Sequence, residues 1–460
     1  MQYSESMSPL ELRASFSLAS IYGLRMLGMF LILPIFSIYA ETLPGGQSHL
    51  LIGLALGAYG LTQAIFQLPF GMASDRFGRK RVIYMGLLMF VIGSIVAALS
   101  TDIYTVIVGR SIQGAGAVSA AVTALLADLT REEHRTKAMA MIGGTIGVTF
   151  ALSLVAGPAL NRWIGVPGIF WMTGILSALA ILVVKFVVPD PLISRFHSDA
   201  ETVPSRLKDV LRNPQLLRLN FGIFALHTAQ MAMFVVVPFA IKQTSGMGVN
   251  DHWKIYLPIL LLSFALMLPA IIVGEKHAKL KLVFVSAIGL MLLAQLLFAA
   301  TIDHFWGVVL SLGVYFIAFN ILEATLPSII SKVAPVASKG TAMGVYNTAQ
   351  SLGVFVGGVS GGYLSHFYSF SAVFVFCSVL MALWLFLALS MQAPPAVKSK
   401  MYHLGEISTA NARTLSDRLG KLPGVREAVV IAEEGLVVLK VDMQQNWDEQ
   451  AALKLIAKGE

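Results

Sequence analysis

The chain has 460 residues, 56% hydrophobic and 13% charged, with a formal net charge of +8 at pH 7 and a mean hydropathy of +0.76. Soluble domains carry about a quarter of their residues as charges, so a cytosolic globule and a disordered chain are both excluded. The one cysteine, Cys377, excludes an internal disulfide framework and a cysteine metal cluster.

A helix needs about 20 apolar residues to cross a bilayer. Twelve such runs follow one another, at about residues 13–40, 51–73, 81–100, 103–127, 137–160, 165–188, 217–242, 253–274, 280–301, 305–331, 338–364 and 368–392. Residues 82–99, for example, lack the every-second-residue alternation of an outer-membrane barrel strand. Glu5, Glu11 and Arg13 precede a first run without the short apolar stretch and small-residue cleavage pattern of a signal, so it is read as a retained helix. Positive charge gathers in alternate connections: Arg76, Arg79, Lys80 and Arg81; Arg131, Arg135 and Lys137; Arg195, Arg206, Lys208 and Arg212; Lys276 and Lys279; Lys332 and Lys339. By the positive-inside rule both termini are expected in the cytoplasm, and the basic balance requires no nucleic acid.

Between runs two and three lies Gly71-Met72-Ala73-Ser74-Asp75-Arg76-Phe77-Gly78-Arg79-Lys80. Gly71 and Gly78 suit close helix approach and a tight turn, and Asp75 can cap a helix start or pair with an arginine. In run four, Arg110, Gln113, Gly114 and Ala117 fall at i, i+3, i+4 and i+7, hence on one helical face. Run five carries Gly157-Pro158.

These three segments resemble the major facilitator superfamily. The loop matches every fixed position of its G-x-x-x-D-R-x-G-R-K signature. Run four is similar to the R-x-x-Q-G-x-G-A motif of drug:proton antiporters. The G-x-x-x-G-P-x-x-G-G antiporter motif is only partly kept, with Ser153, Asn161 and Arg162 at glycine positions. Segments 24–30, 319–328 and 339–346 look like the YajR-type group of inner-membrane transporters, which carry a C-terminal ferredoxin-like domain. The resemblance implies a signature-loop latch of Asp75, Arg79 and Asp128, stabilising an outward-facing state because opening the cytoplasmic side would separate the charges. For Arg110 it implies a proton-coupling role, the alternative being structural packing by hydrogen bonds to neighbouring carbonyls.

The longest internal connection, residues 189–216, splits the spans six and six; a short surface helix is predicted at 203–211 with Leu207, Val210 and Leu211 on one face. Thr136-Lys137-Ala138-Met139-Ala140 and Gly340-Thr341-Ala342-Met343-Gly344 open runs five and eleven alike, as in a duplicated transporter. Ionisable groups at membrane depth are costly and mark coupling sites. Besides Arg110 these are Arg25, His227 and Glu323, with His227 and Glu323 the candidates to carry a proton; the alternatives are a hydrogen-bonded core histidine and a fixed ion pair of Glu323 with an arginine. Tyr59, Gln63, Gln67, Gln113, Tyr346, Asn347 and Gln350 could line a substrate cavity. Gly353, Gly357 and Gly361, four residues apart, favour close helix packing.

Gln392-Ala393-Pro394-Pro395 ends the last span. Residues 401–460 carry seven Lys/Arg against nine Asp/Glu, so a separate acidic domain follows. A strand near 405–408, a helix at 411–421, strands at 425–432 and 436–442 around Glu433-Glu434-Gly435, and a helix from about Trp447 give the order βαββα of a small ferredoxin-like sandwich.

The predicted fold is an all-α membrane protein of twelve transmembrane helices in two six-helix halves plus a small α+β cytoplasmic domain. Its divisions are an N-terminal half at 1–188, a linker at 189–216, a C-terminal half at 217–392, a second linker at 393–400 and the soluble domain at 401–460. No nucleophile–base pattern or phosphate-binding loop is present, so neither enzyme nor cofactor nor metal is expected. The predicted function is proton-coupled efflux of small lipophilic compounds at a bacterial inner membrane, with an importer and a sensor signalling through the C-terminal domain as alternatives. Partners are the substrate, protons and the bilayer; self-association or ligand binding is assigned to the C-terminal domain.

Overall fold

A computed structural model describes residues 7–190, 203–404, 407–432, 435–442 and 445–457. The linker residue Arg195, Gly405 and Glu406 of the predicted first strand, and the Glu433-Glu434 turn lie outside the described residues, as does Glu5.

The N-terminal half contains α1 (Pro9–Phe30), α2 (Phe36–Ala40), α3 (His49–Phe77), α4 (Arg79–Ala98), α5 (Ile103–Ala115), α6 (Ser119–Asp128) and α7 (Glu132–Phe186). After the short α8 (Leu207–Arg212) the second half follows as α9 (Pro214–Ser245), α10 (Trp253–Lys276), α11 (Leu280–Thr301), α12 (Phe305–Val333), α13 (Lys339–Phe367) and α14 (Phe370–Leu389). Helix starts follow local chemistry. Ser8 and Glu11 form a reciprocal capping box, Asp102 accepts from Thr105 N at 2.8 Å, and Asn213 caps a helix whose first residue is Pro214.

Eight helices among the described residues are long and apolar enough to cross a membrane by length and composition. The twelve predicted runs exceed that number for identifiable reasons. Helix α7 holds two runs joined at Gly165, whose φ of 67° breaks the helix. Run one breaks around Pro34 into α1 and α2, and α1, though 22 residues long, is diluted by polar residues and by Glu11, Arg13 and Arg25; run four is divided at Gly116-Ala117-Val118 into α5 and α6. Ala117 therefore lies beyond the break, so the predicted single face holds only from Arg110 to Gly114. Helix α13 is rich in small and polar residues.

The signature loop marks one end of the bundle. At the far end the halves are pressed together, because glycines remove the side chains that would hold them apart. Gly53, Gly57 and Gly60 of α3 meet the backbone of Gly358, Phe355 and Ser351 on α13. The predicted stripe Gly353, Gly357 and Gly361 packs instead on α9, against Phe224, Thr228 and Ala232. Polar contacts reinforce the far end: Ser37 Oγ donates to the Phe234 carbonyl at 3.0 Å, Asn161 to Asn250 at 2.7 Å, and Arg162 pairs with Asp251 at 3.2 Å. Helix α9, apolar on nearly every side, is correspondingly buried in the middle of its half.

In the linker, α8 buries Val210, while Leu211 is exposed, so the predicted apolar face is narrower than expected. The C-terminal domain is β1 (Val397–His403), α15 (Thr409–Gly420), β2 (Val425–Ile431), β3 (Leu436–Asp442) and α16 (Glu449–Ala457), with antiparallel sheet order β1-β3-β2. The first strand begins inside the stretch read as a linker, ahead of the expected 405–408, because Val397 and Met401 are buried as β1 pairs with β3 from Val397↔Asp442 to His403↔Leu436. Side chains alternate across a strand. Val437, Leu439 and Val441 pack on Leu415, Leu419, Ala452 and Ile456 of the domain's own helices; Leu436 and Val438, with Met401, pack on Val336, which precedes α13. Every residue of β3 is buried.

Candidate functional site

Gly78, with φ 94°, is the only residue between α3 and α4. It turns the chain so that Arg79 lies buried against α3 and α6. There Arg79 pairs with Asp75, donates from Nη1 to Ser74 Oγ at 2.9 Å, and reaches Asp128 Oδ2 from Nε at 3.3 Å. The Asp128 carboxylate is fully buried and that of Asp75 is 39% exposed. Asp75, Arg79 and Asp128 thus meet, yet all three belong to the N-terminal half. Opening between the halves does not require these charges to separate, contrary to the sequence expectation. Gly71 packs beside Ala120, Lys80 pairs with Asp190 at 2.7 Å, and Arg76 is exposed beside the Phe77 ring.

A second polar tie at this end was missed. Arg131 donates to Glu11 through its backbone N at 2.8 Å, its Nε at 3.1 Å and its Nη2 at 3.0 Å. Burial pushes the Glu11 carboxyl up, but the hydrogen bonds from Arg131 and Ser8 outweigh it and bring it down to about 2. The Ser-x-x-Glu spacing signalled the cap; nothing local signalled Arg131.

In the interior of the same half, Arg110 donates to Gln113 Oε1 at 2.8 Å, and Gln113 Nε2 donates to Ser94 Oγ at 2.8 Å. Gln113, predicted to line a cavity, is instead fully buried and engaged on both sides. The Tyr59 ring lies 4.9 Å from the Arg110 guanidinium and 5.8 Å from that of Arg25, which donates to Ser119 Oγ at 2.9 Å. Gln63 and Gln67 follow Tyr59 on the same face of α3 and are buried.

The second half assembles His227 of α9, Glu323 of α12 and Gln350 of α13. His227 Nδ1 lies 3.2 Å from the Ile223 carbonyl, its Nε2 2.7 Å from Gln350 Nε2 and 3.9 Å from Glu323 Oε2. A carbonyl only accepts, so Nδ1 carries the proton in the neutral ring. Nε2 is then the acceptor for the Gln350 amide. Glu323 makes no ion pair with Arg25 or Arg110 among the described contacts. Its side chain is 30% exposed, and Oε2 has no hydrogen-bond partner. Tyr346 is buried with its hydroxyl unpartnered, and Asn347 is half-buried. The two clusters flank one crossing, since Gly60, next to Tyr59, packs on Ser351, next to Gln350. No group of three or more His, Cys, Asp or Glu suited to a metal occurs among the described residues.

The family model described as Major Facilitator Superfamily matches residues 18–358 and 259–416. The chain is 43% identical over 436 residues to the inner membrane transport protein YajR of Escherichia coli (strain K12), covering 95% of each chain. It is 25% identical to the quinolone resistance protein NorA of Staphylococcus aureus (strain COL), over 74% of this chain and 86% of that protein. Among solved structures, a bacterial homologue of the human lysosomal transporter Spinster, in an inward-facing and occupied conformation, superposes with a TM-score of 0.69 at 14% identity. That match covers 84% of this chain and 97% of the other and concerns the fold alone.

Proposed function

Because the chain belongs to the major facilitator superfamily, we propose that its secondary transport is proton-coupled and exports small lipophilic compounds by alternating access of the two halves. The cluster of His227, Glu323 and Gln350 carries this reading. A neutral His227 uses Nε2 to accept from Gln350; a proton arriving there makes Nε2 a donor facing the Glu323 carboxylate 3.9 Å away. Gln350 must then release the ring or present its oxygen. Gln350 lies on α13, the helix that packs on α3, so protonation is felt at the seam between the halves. Arg110 and Arg25 are the fixed positive charges of the opposite half and link that proton to conformation.

The positive-inside rule favours a cytoplasmic signature end and cytoplasmic termini, and with that orientation the tight far-end seam supports an inward-facing reading of this arrangement. Asp75, Arg79 and Asp128 act within this scheme by holding α3, α4 and α6 as one body. The C-terminal domain touches α7 through β1 and the α12–α13 junction through β3, which supports a regulatory role, with ligand binding or self-association as its input. Proton flux in proteoliposomes, driven by a panel of lipophilic cations, anions and neutral compounds, tests the proposal. Substrate-driven proton movement is expected to vanish in Glu323→Gln, and an unchanged proton stoichiometry in that variant rejects it.

A further inference from the structure

Two guanidinium groups in the N-terminal half are buried with too few partners. Arg25 is 1% exposed and Arg110 0%. Each donates once to a neutral acceptor, Arg25 to Ser119 and Arg110 to Gln113, and each leaves Nε and Nη2 without a hydrogen bond. They converge on one ring, at 5.8 and 4.9 Å from the centre of Tyr59, whose hydroxyl is also unpartnered.

The acids of this half whose side chains are described are occupied elsewhere. Glu11 is held by Arg131, Glu41 by Lys242, Asp75 and Asp128 by Arg79, and Asp190 by Lys80, while Asp102 caps α5. A guanidinium does not shed its charge in a protein, and an unpaired buried charge is strongly unfavourable. The face of Tyr59 compensates only part of it.

We infer that Arg25, Arg110 and Tyr59 form an anion subsite for the transported compound, which carries a carboxylate or a similar oxyanion on an apolar body. On each guanidinium the free Nε and Nη2 form the edge that matches a carboxylate's two oxygens, and the Tyr59 hydroxyl adds a neutral donor. Met26 and Phe30 lie on the same helix as Arg25 and belong to one buried apolar cluster, in which Phe30 stacks edge-on with Phe150 at 5.0 Å. Both arginines are sealed from solvent, so a compound reaches them only as the surrounding side chains give way.

This inference rests on the transporter reading for its biological meaning, but its test is an equilibrium one. Calorimetric titration of the purified full-length chain in detergent compares 2-naphthoate with its charge-reversed counterpart, 2-naphthylmethylammonium. The naphthoate is expected to bind about tenfold tighter or better, and Arg25→Gln and Arg110→Gln each to weaken it by about tenfold, with Arg25→Lys recovering part of the loss. No preference for naphthoate over the cation in the unmodified chain overturns the inference, and that comparison needs no variant to fold. Naphthoate binding without proton movement in liposomes refutes the coupling scheme and leaves the subsite standing. Proton movement driven by cations alone does the reverse.

Discussion

Gly53 of α3 and Gly358 of α13 occupy each other's side-chain space: a Cβ built on either overlaps the other's carbonyl oxygen. The obstacle is backbone, so no rotamer change relieves it. Gly53→Ala and Gly358→Ala should each destabilise the far-end seam by about 1–3 kcal/mol, the usual effect of overpacking, read as a lower Tm in detergent. Gly143→Ala is the control. Nothing lies within 4 Å of its added methyl, and alanine is the better helix former, so its Tm should stay level or rise.

The two acids on Arg79 should differ. Asp128 is buried, and its replacement by Asn strips a buried cation of a buried partner, which costs about 3–5 kcal/mol. Asp75 is 39% exposed, where an ion pair contributes about 0–1 kcal/mol. Asp128→Asn should therefore reduce folded yield, whereas Asp75→Asn should be made normally but transport poorly. Wild-type transport rates in Asp75→Asn would remove the signature loop from the mechanism.

Glu11 supplies a pH signature. Its carboxyl is held at about 2 against an ordinary 4.5. For a depressed carboxyl the stabilisation is complete above the unfolded value and is lost as pH falls through the folded one. The Tm advantage of the native chain over Glu11→Gln should be full at about pH 6, shrink below 4.5 and disappear near 2. A gap that stays constant over that range would mean that Arg131 does not hold the carboxylate.

Docking of the C-terminal domain turns on Lys440. The residue is 6% exposed, and its ammonium pairs with Glu427 at 2.9 Å and donates to the Ala334 carbonyl at 2.7 Å, where α12 ends. A cation is favoured at that helix terminus. Lys440→Met should loosen the domain, measured as faster proteolytic release after α14, while the membrane helices keep their Tm. Removing residues from Val397 onward should raise the transport rate if the domain restrains both halves; an unchanged rate would make it a passenger.

Spans and signature loop were legible because apolar length and a ten-residue motif are local. The breaks at Pro34 and Gly116 were not, since residues on both sides are equally apolar and a run does not record where its hydrogen bonds stop. Gly353, Gly357 and Gly361 were visible as a stripe, but not that Gly358 and Gly362 form a second one towards the other half. His227 and Gln350 are 123 residues apart and become neighbours only through packing of α9 on α13. In β1, Val397, Ser399 and Met401 alternate as a strand should; the adjacent Pro394-Pro395 and the two lysines Lys398 and Lys400 make the segment look like a tether, and only its pairing with β3 reveals otherwise.

Gly78 is the whole connection between α3 and α4. A one-residue joint has no slack to absorb displacement, so any tilt of α3 along the glycine seam is imposed on α4 and, through Arg79, on α6. In the proposed alternating access the N-terminal half then swings as a lever whose long arm reaches the seam and whose short arm ends at the buried carboxylate of Asp128. Lengthening the joint would uncouple the arms without touching a single charge.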